Sequence, residues 1–291
     1  MTALSSSPGA PAPRRVGHLV IVGGNEEREG DMQVLRRFVE LTGRPEPRVL
    51  VLGSLPSADP SWKALDSAFA ELGVAQRFSL PLASREACLD PKTADHVRTA
   101  DGIYLHGVDA QRLMALLGGT LLHEALMNAL QCDAKCVAGT GAGASVLSQY
   151  VMFDGRDAAS LGAGLGLVQR ALIDQRFSER RRLGPLLALV ARNRQLIGLG
   201  IDEDTALVIE PGGGIEVVGD GAVTLIDGRE MATHALQPGG RETLELVDVK
   251  LHLLPTGASY TCDEAVCDVP VALKDIVTIL TTHTPAGVPP S

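Results

Sequence analysis

The chain has 291 residues and a formal charge of −9, with 45% hydrophobic and 21% charged residues: an ordinary globular composition, too acidic for non-specific binding to nucleic-acid phosphates. No apolar run approaches the roughly 20 residues that span a bilayer, and the Ser-, Pro- and Ala-rich start lacks the apolar stretch of an export signal. Five cysteines, an odd number, suit reduced thiols better than a disulfide framework, so a cytoplasmic protein with no membrane or nucleic-acid partner is expected.

Residues 1–15 and 284–291 read as disordered tails around one expected domain over 16–283. GHLVIVGG (17–24) is a buried-strand pattern ending in glycines, and the polar loop NEEREG follows. Asp31 is placed to cap a helix whose apolar face is Met32, Leu35, Phe38 and Val39. RVLVLGS (48–54) is a second strand, Trp62–Leu72 a helix, and QRFSLPL (76–82) a weaker strand because Pro81 suits no central position. A short helix over 91–99 leads to the strand GIYLHG (102–107). Asp109 starts a helix over Gln111–Leu117, and Leu121–Leu130 makes another. Alternating strands and helices with short turns imply an α/β protein built on a mostly parallel sheet covered on both faces. The glycine turns at Gly23-Gly24, Gly107 and Gly139–Gly143 end such strands and should converge in one crevice.

KCVAGT then enters VAGTGAGASVLSQY (137–150), a strand that turns through small residues towards a helix-like segment. This is the pattern of a nucleophile elbow, in which a Ser or Cys occupies the tip of a strained turn. Here the tip is Gly141, which tolerates positive φ but carries no attacking atom. Beyond Tyr150, Leu165–Leu172 reads as a strand and Arg182–Ala191 as a helix. The short strands IGLGID, ALVIEP, IEVVG, AVTLID and LELVDVKLHLL, separated by Gly- and Asp-rich turns, are expected as antiparallel hairpins at the sheet's edge. Val271–Leu280 closes as a helix.

GHLVIVGGNEEREGD, IYLHGVDAQRL, GTGAGAS, LIDQRFSERRRLG, GLGIDEDTALVIE and LHLLPTGASY occur in that order over roughly residues 16–258. Together they resemble cyanophycinase, the serine peptidase that cleaves the β-aspartyl-arginine polymer, and its relative aspartyl dipeptidase (peptidase E). The resemblance implies a three-layer α/β/α sandwich related to class I glutamine amidotransferases, commonly a homodimer. It also locates departures. The family's Gly-Thr-Ser-Ala-Gly-Ala is Gly139, Thr140, Gly141, Ala142, Gly143, Ala144, and its Asp-Gln-His-Phe is Asp174, Gln175, Arg176, Phe177. Gly-Gly-Asp-Gln has become Gly107, Val108, Asp109, Ala110; a later arginine is Pro185; the acid survives as Glu203. By this correspondence the degenerate triad is Gly141, Arg176 and Glu203. The implied ligand pocket is Gly107, Asp109, Thr140, Ala142, Asp174, Gln175, Arg180 and Arg182.

Arginine stays protonated and cannot serve as a general base, so Arg176 is expected to pair with Glu203 instead. Thr140 should point away from the tip, Ser145 should be buried in the following helix, and Cys136 belongs to the strand. Glu26 and Glu27 are expected to close a hydrogen-bond network, and His106 to be locally satisfied. Arg180, Arg181 and Arg182 suit either an anion or peptide pocket or a solvated helix face balanced by Glu179 and Asp174. The spacings Cys132/Cys136 and Cys262/Cys267 make poor metal motifs, so neither metal nor cofactor is expected. Three functions follow: a pseudoenzyme that binds a β-aspartyl peptide or amino acid, or pairs with a second copy or an active paralogue; a hydrolase in which Glu203, Asp109 or His106 activates water; or a structural subunit whose crevice is plugged by Arg176 and Val108.

Overall fold

The computed structural model describes residues 16–153, 160–234, 245–261 and 267–282. Both expected tails and Cys262 lie outside the described residues. The first half runs β1 (Leu19–Val22), α1 (Gln33–Leu41), β2 (Arg48–Gly53), α2 (Pro60–Glu71), β3 (Gln76–Pro81), α3 (Arg85–Leu89), α4 (Pro91–Thr99), β4 (Gly102–Gly107), α5 (Ala110–Leu117), α6 (Leu121–Gln131) and β5 (Cys136–Gly141). The second half runs α7 (Ala142–Ser145), β6 (Ser148–Phe153), β7 (Ser160–Ala163), β8 (Val168–Gln175), α8 (Leu183–Arg192), β9 (Ile197–Ile201), β10 (Thr205–Ile209), β11 (Ile215–Gly219), β12 (Ala222–Asp227), β13 (Ala232–His234), β14 (Glu245–Val247), β15 (Lys250–Pro255), β16 (Ser259–Tyr260) and α9 (Val271–Thr281).

The principal sheet has the order β16-β11-β10-β1-β5-β4-β2-β3. Its β1-β5-β4-β2-β3 half is parallel, and β10, β11 and β16 add antiparallel strands beyond β1. Alternate residues sort to opposite faces. Val20, Val22, Val49 and Val51 pack under α1 and α2, while Leu19, Ile21, Leu50 and Leu52 meet α4, α5 and α6. The three-layer α/β/α sandwich is therefore present around the parallel strands. β3 takes the outer edge, where Pro81 is harmless.

The later strands do not all join that edge. β9, β12 and β15 build a second sheet, ordered β15-β12-β9-β8-β6-β7. One face of it shares the core of the first: Val168, Ala171, Ile173, Leu199 and Leu225 belong to the same apolar cluster as Leu19 and Leu50. α8 covers its other face through Leu186, Leu189 and Val190. The short helix α7 ends after four residues and the chain returns to strand β6, so the elbow joins the two sheets rather than feeding a long helix.

Local capping follows side-chain chemistry with one correction. Asp109 caps α5, its Oδ1 accepting from the Arg112 N–H at 3.0 Å, and Asp59 caps α2. Asp31 does not cap α1: the Met32 N–H donates to Glu27 Oε2 at 2.9 Å, and Met32 itself adopts φ 45°. No single helix among the described residues is long and apolar enough to cross a membrane. The apolar pair α5 and α6 is bent by 98° between its members and buries Leu113, Leu117, Leu122 and Leu126 in the core.

The elbow is held by close backbone contact. A Cβ on Gly143 would lie 2.1 Å from the Leu105 carbonyl oxygen of β4, and one on Gly139 would lie 2.5 Å from the Gly143 carbonyl oxygen. Gly143→Ala is expected to destabilise the fold by roughly 3 kcal/mol, the upper end for overpacking. Gly184→Ala in α8, where an added Cβ meets nothing within 4 Å, should instead stabilise it by about 0.5–1 kcal/mol. Chemical denaturation of the two variants checks both.

Candidate functional site

Three glycine turns meet at the carboxyl ends of β1, β4 and β5. A Cβ on Gly24 would stand 3.5 Å from both Gly141 Cα and Arg176 Nε, and one on Gly141 would lie 2.9 Å from the Gly107 carbonyl oxygen. Gly141 has φ 58° and ψ −126°, the strained turn of an elbow tip. Two cavities open beside it, with the 75% exposed Val108 lining both.

The first cavity, about 520 Å³, is lined by Gly141, Thr140, Gly107, His106, Arg28 and Arg176, among others. Arg176 leaves β8 with φ 52°, and its amide donates to the Gly23 carbonyl. Its Nε is 3.4 Å from Glu203 Oε1, so the expected ion pair is formed. Asn25 Nδ2 also donates to Glu203 Oε2, at 3.0 Å. The pair is half-exposed rather than buried, so it contributes little to stability. The flanking aspartates are structural: Asp202 accepts from the amides of Ser178 and Ala222, and Asp204 from that of Glu27.

Beneath this cavity lies a polar cluster. The Thr140 hydroxyl donates to Glu26 Oε2 at 2.6 Å, and Arg28 Nη2 donates to Glu26 Oε1 at 3.0 Å. Glu26 thus closes a network, as expected, and Thr140 points away from the tip. Arg28 is a member that composition and motif did not mark. Burial first, then the Glu26 carboxylate, pushes the Tyr104 hydroxyl well above the usual phenol range. His106 overturns an expectation: it is buried, and neither ring nitrogen has a hydrogen-bond partner among the described residues. Such an orphan costs about 1–3 kcal/mol. The ring stands edge-on to Trp62, with centroids 6.2 Å apart. Val108 at 75% exposure and Arg176 at 40% leave the crevice open, contrary to a plug.

The second cavity, about 350 Å³, collects Asp109, Ala110, Ala142, Ser145, Asp174, Gln175, Arg180 and Arg182. The ligand residues implied by resemblance therefore divide: Gly107 and Thr140 face the first cavity, the other six the second. Asp174 is buried, and Arg182 Nε donates to its Oδ2 at 2.9 Å. Arg182 is the residue before α8, whereas Arg180 and Arg181 are exposed in the preceding turn. Ser145 ends the short α7 and is buried, but it lines this cavity. Among the described residues, no group of three or more His, Cys, Asp or Glu side chains is arranged to hold a metal ion.

The model of "Peptidase family S51" matches residues 19–217. The chain belongs to peptidase family S51. Cyanophycinase from Trichormus variabilis is 30% identical over 255 residues, covering 83% of this chain and 84% of that protein. Cyanophycinase from Geminocystis herdmanii is 29% identical, covering 83% and 92%. The crystal structure of a peptidase from an acI-B1 Actinobacterium superposes with a TM-score of 0.64 at 23% identity, over 86% of this chain and 98% of that one, and supports the fold. In this S51 protein the two cavities flank the position where the S51 resemblance places a serine.

Burial is the main cause that lowers the His106 pKa below its usual 6.5; Arg28 adds to the shift, while Glu26 and Asp59 oppose it. The unfolded chain therefore takes up this proton first. The stability linked to His106 is complete above pH 6.5 and falls as the pH drops from 6.5 towards the lowered folded value. His106→Phe should show a shallower loss of Tm than the parent protein across that window, as measured by thermal melts in matched buffers.

Proposed function

We propose that this S51 protein is a cyanophycinase-like pseudoenzyme: it keeps the cleft of its relatives and lacks serine-peptidase chemistry. The observation that carries this reading is the elbow tip itself. Acyl transfer needs a nucleophile and a group that takes its proton. Gly141 supplies no nucleophile, and the guanidinium of Arg176, in the base position, offers donors but no acceptor and is engaged by Glu203 at 3.4 Å. Of the nearby hydroxyls, Thr140 is committed to Glu26, and Ser145 lines the neighbouring cavity.

The retained function is binding. The second cavity presents Arg180 together with Asp109 and the Asp174–Arg182 pair, a mixed-charge lining that suits a β-aspartyl peptide bearing both a carboxylate and a guanidinium. A second copy of the chain or an active paralogue is the assembly, and the cytoplasm the location, that this reading carries with it. The Thr140–Glu26 hydrogen bond favours a second reading, a hydrolase of altered mechanism, because it places a carboxylate acceptor on a cavity-lining hydroxyl.

Two measurements separate them. A fluorophosphonate probe is expected to leave the protein unlabelled while labelling an active cyanophycinase; adduct formation on Thr140 or Ser145 would revive the hydrolase. Calorimetric titration with β-Asp-Arg dipeptide is expected to show saturable binding, weakened about tenfold by Arg180→Ala, the loss of one good charged contact. No binding, or binding indifferent to Arg180, would contradict the ligand assignment.

A further inference from the structure

We propose that a third cavity, at the opposite end of the principal sheet from the elbow, is a binding site for a small aromatic carboxylate. The buried Leu50 and Ala100 form its floor, and Arg48, Phe78, Lys92 and His96 stand around it. Its volume is about 300 Å³, the lower end for small-molecule sites. Arg48 opens β2, whose far end, Gly53, pairs with His106 beside the crevice. Leu50 and Phe78 are partners across β2 and β3, and Lys92 and His96, four residues apart, share one face of α4. Because β3 is the edge strand, Phe78 has a neighbouring strand on one side only and stays 44% exposed.

The lining combines an aromatic face with unmatched positive charge. The Arg48 guanidinium stands 5.5 Å from the Phe78 ring centroid, and its Nε donates to Gln76 Oε1 at 3.1 Å. Its backbone N–H donates to Asp101 Oδ2 at 2.9 Å. The guanidinium is thus held in place, and its terminal nitrogens have no acceptor among the described residues. The Lys92 and His96 side chains form no hydrogen bond or ion pair among the described residues. Asp95 also lines the cavity, but Arg98 pairs with it at 2.6 Å, so the lining is positive on balance in a protein of net charge −9. A planar carboxylate complements a guanidinium fork, and the presence of Asp95 disfavours the second negative charge of a phosphate. The volume admits a single ring, which Phe78 and the apolar floor receive. None of these residues lines either cavity beside the elbow, so the site stands independently of the pseudoenzyme reading.

The test is a ligand-observed NMR titration of the full chain with benzoate. Benzoate is expected to bind saturably, with a dissociation constant of about 1 mM or tighter. Benzamide keeps the ring without the charge, and cyclohexanecarboxylate keeps the charge without the aromatic plane; each should bind at least about fivefold more weakly. Lys92→Gln and Phe78→Leu should each weaken benzoate binding about fivefold, the loss of one exposed ionic or one aromatic contact. Lys92→Gln alters an exposed side chain and should keep the melting temperature, so it decides the matter even where Phe78→Leu loosens the edge strand. No saturable binding, benzamide or cyclohexanecarboxylate bound as well as benzoate, phenyl phosphate bound more tightly, or benzoate binding unchanged by either substitution would each overturn the site. Both substitutions leave the elbow untouched, so failure here is distinct from any result with β-Asp-Arg dipeptide.

Discussion

The structure depends on backbone meeting backbone where β4 and β5 end. Gly53, Gly139 and Gly143 stand where a Cβ would lie 1.8, 2.5 and 2.1 Å from a carbonyl oxygen, so side chains are excluded and the three strand ends close on one another. That closure fixes the register His106 to Thr140 and Gly107 to Gly141, four residues that line the first cavity. It also holds Gly141 at φ 58° without a side chain to strain. The elbow is therefore a packing solution in its own right. None of the close contacts that shape it involves a side chain at the tip.

The charges around the elbow make the same point. Glu203 has a partner of opposite charge, Arg176, at 3.4 Å, so this corner of the crevice is electrostatically satisfied. Deeper in, Glu26 is compensated by Arg28 and Thr140, and Asp174 by Arg182. Buried carboxylates of this kind are costly when left alone. Only His106 is left with both ring nitrogens buried and unpaired among the described residues.

The parallel half was legible because its strands are continuous apolar runs, most of them ending in glycine, and α5 carries a capping aspartate at Asp109. The Arg176–Glu203 pair was legible because the resemblance sets a guanidinium, at the position of a histidine, opposite a carboxylate that is kept. The second sheet was not: β9, β12 and β15 are short strands whose pattern says that they pair, not with which sheet, and the long-range contact that decides it leaves no local mark. Asp31 looked like a cap by position, but the loop fold brings Glu27 to the helix amide instead. The orphaned state of His106 left no mark in the sequence, since it is set where a strand register joins residues far apart, His106 to Thr140, and Arg28 pairs with Glu26 in a loop whose sequence does not single it out from Glu27 or Glu29.

The central claim is that the elbow's geometry survives without its chemistry, and the most direct test is turnover. Purified protein incubated with cyanophycin should release no β-Asp-Arg dipeptide above the uncatalysed rate over a period in which an active cyanophycinase consumes the polymer. Sustained release, proportional to protein concentration and abolished by heat denaturation, would contradict the account and require a nucleophile or an activated water in one of the two cavities.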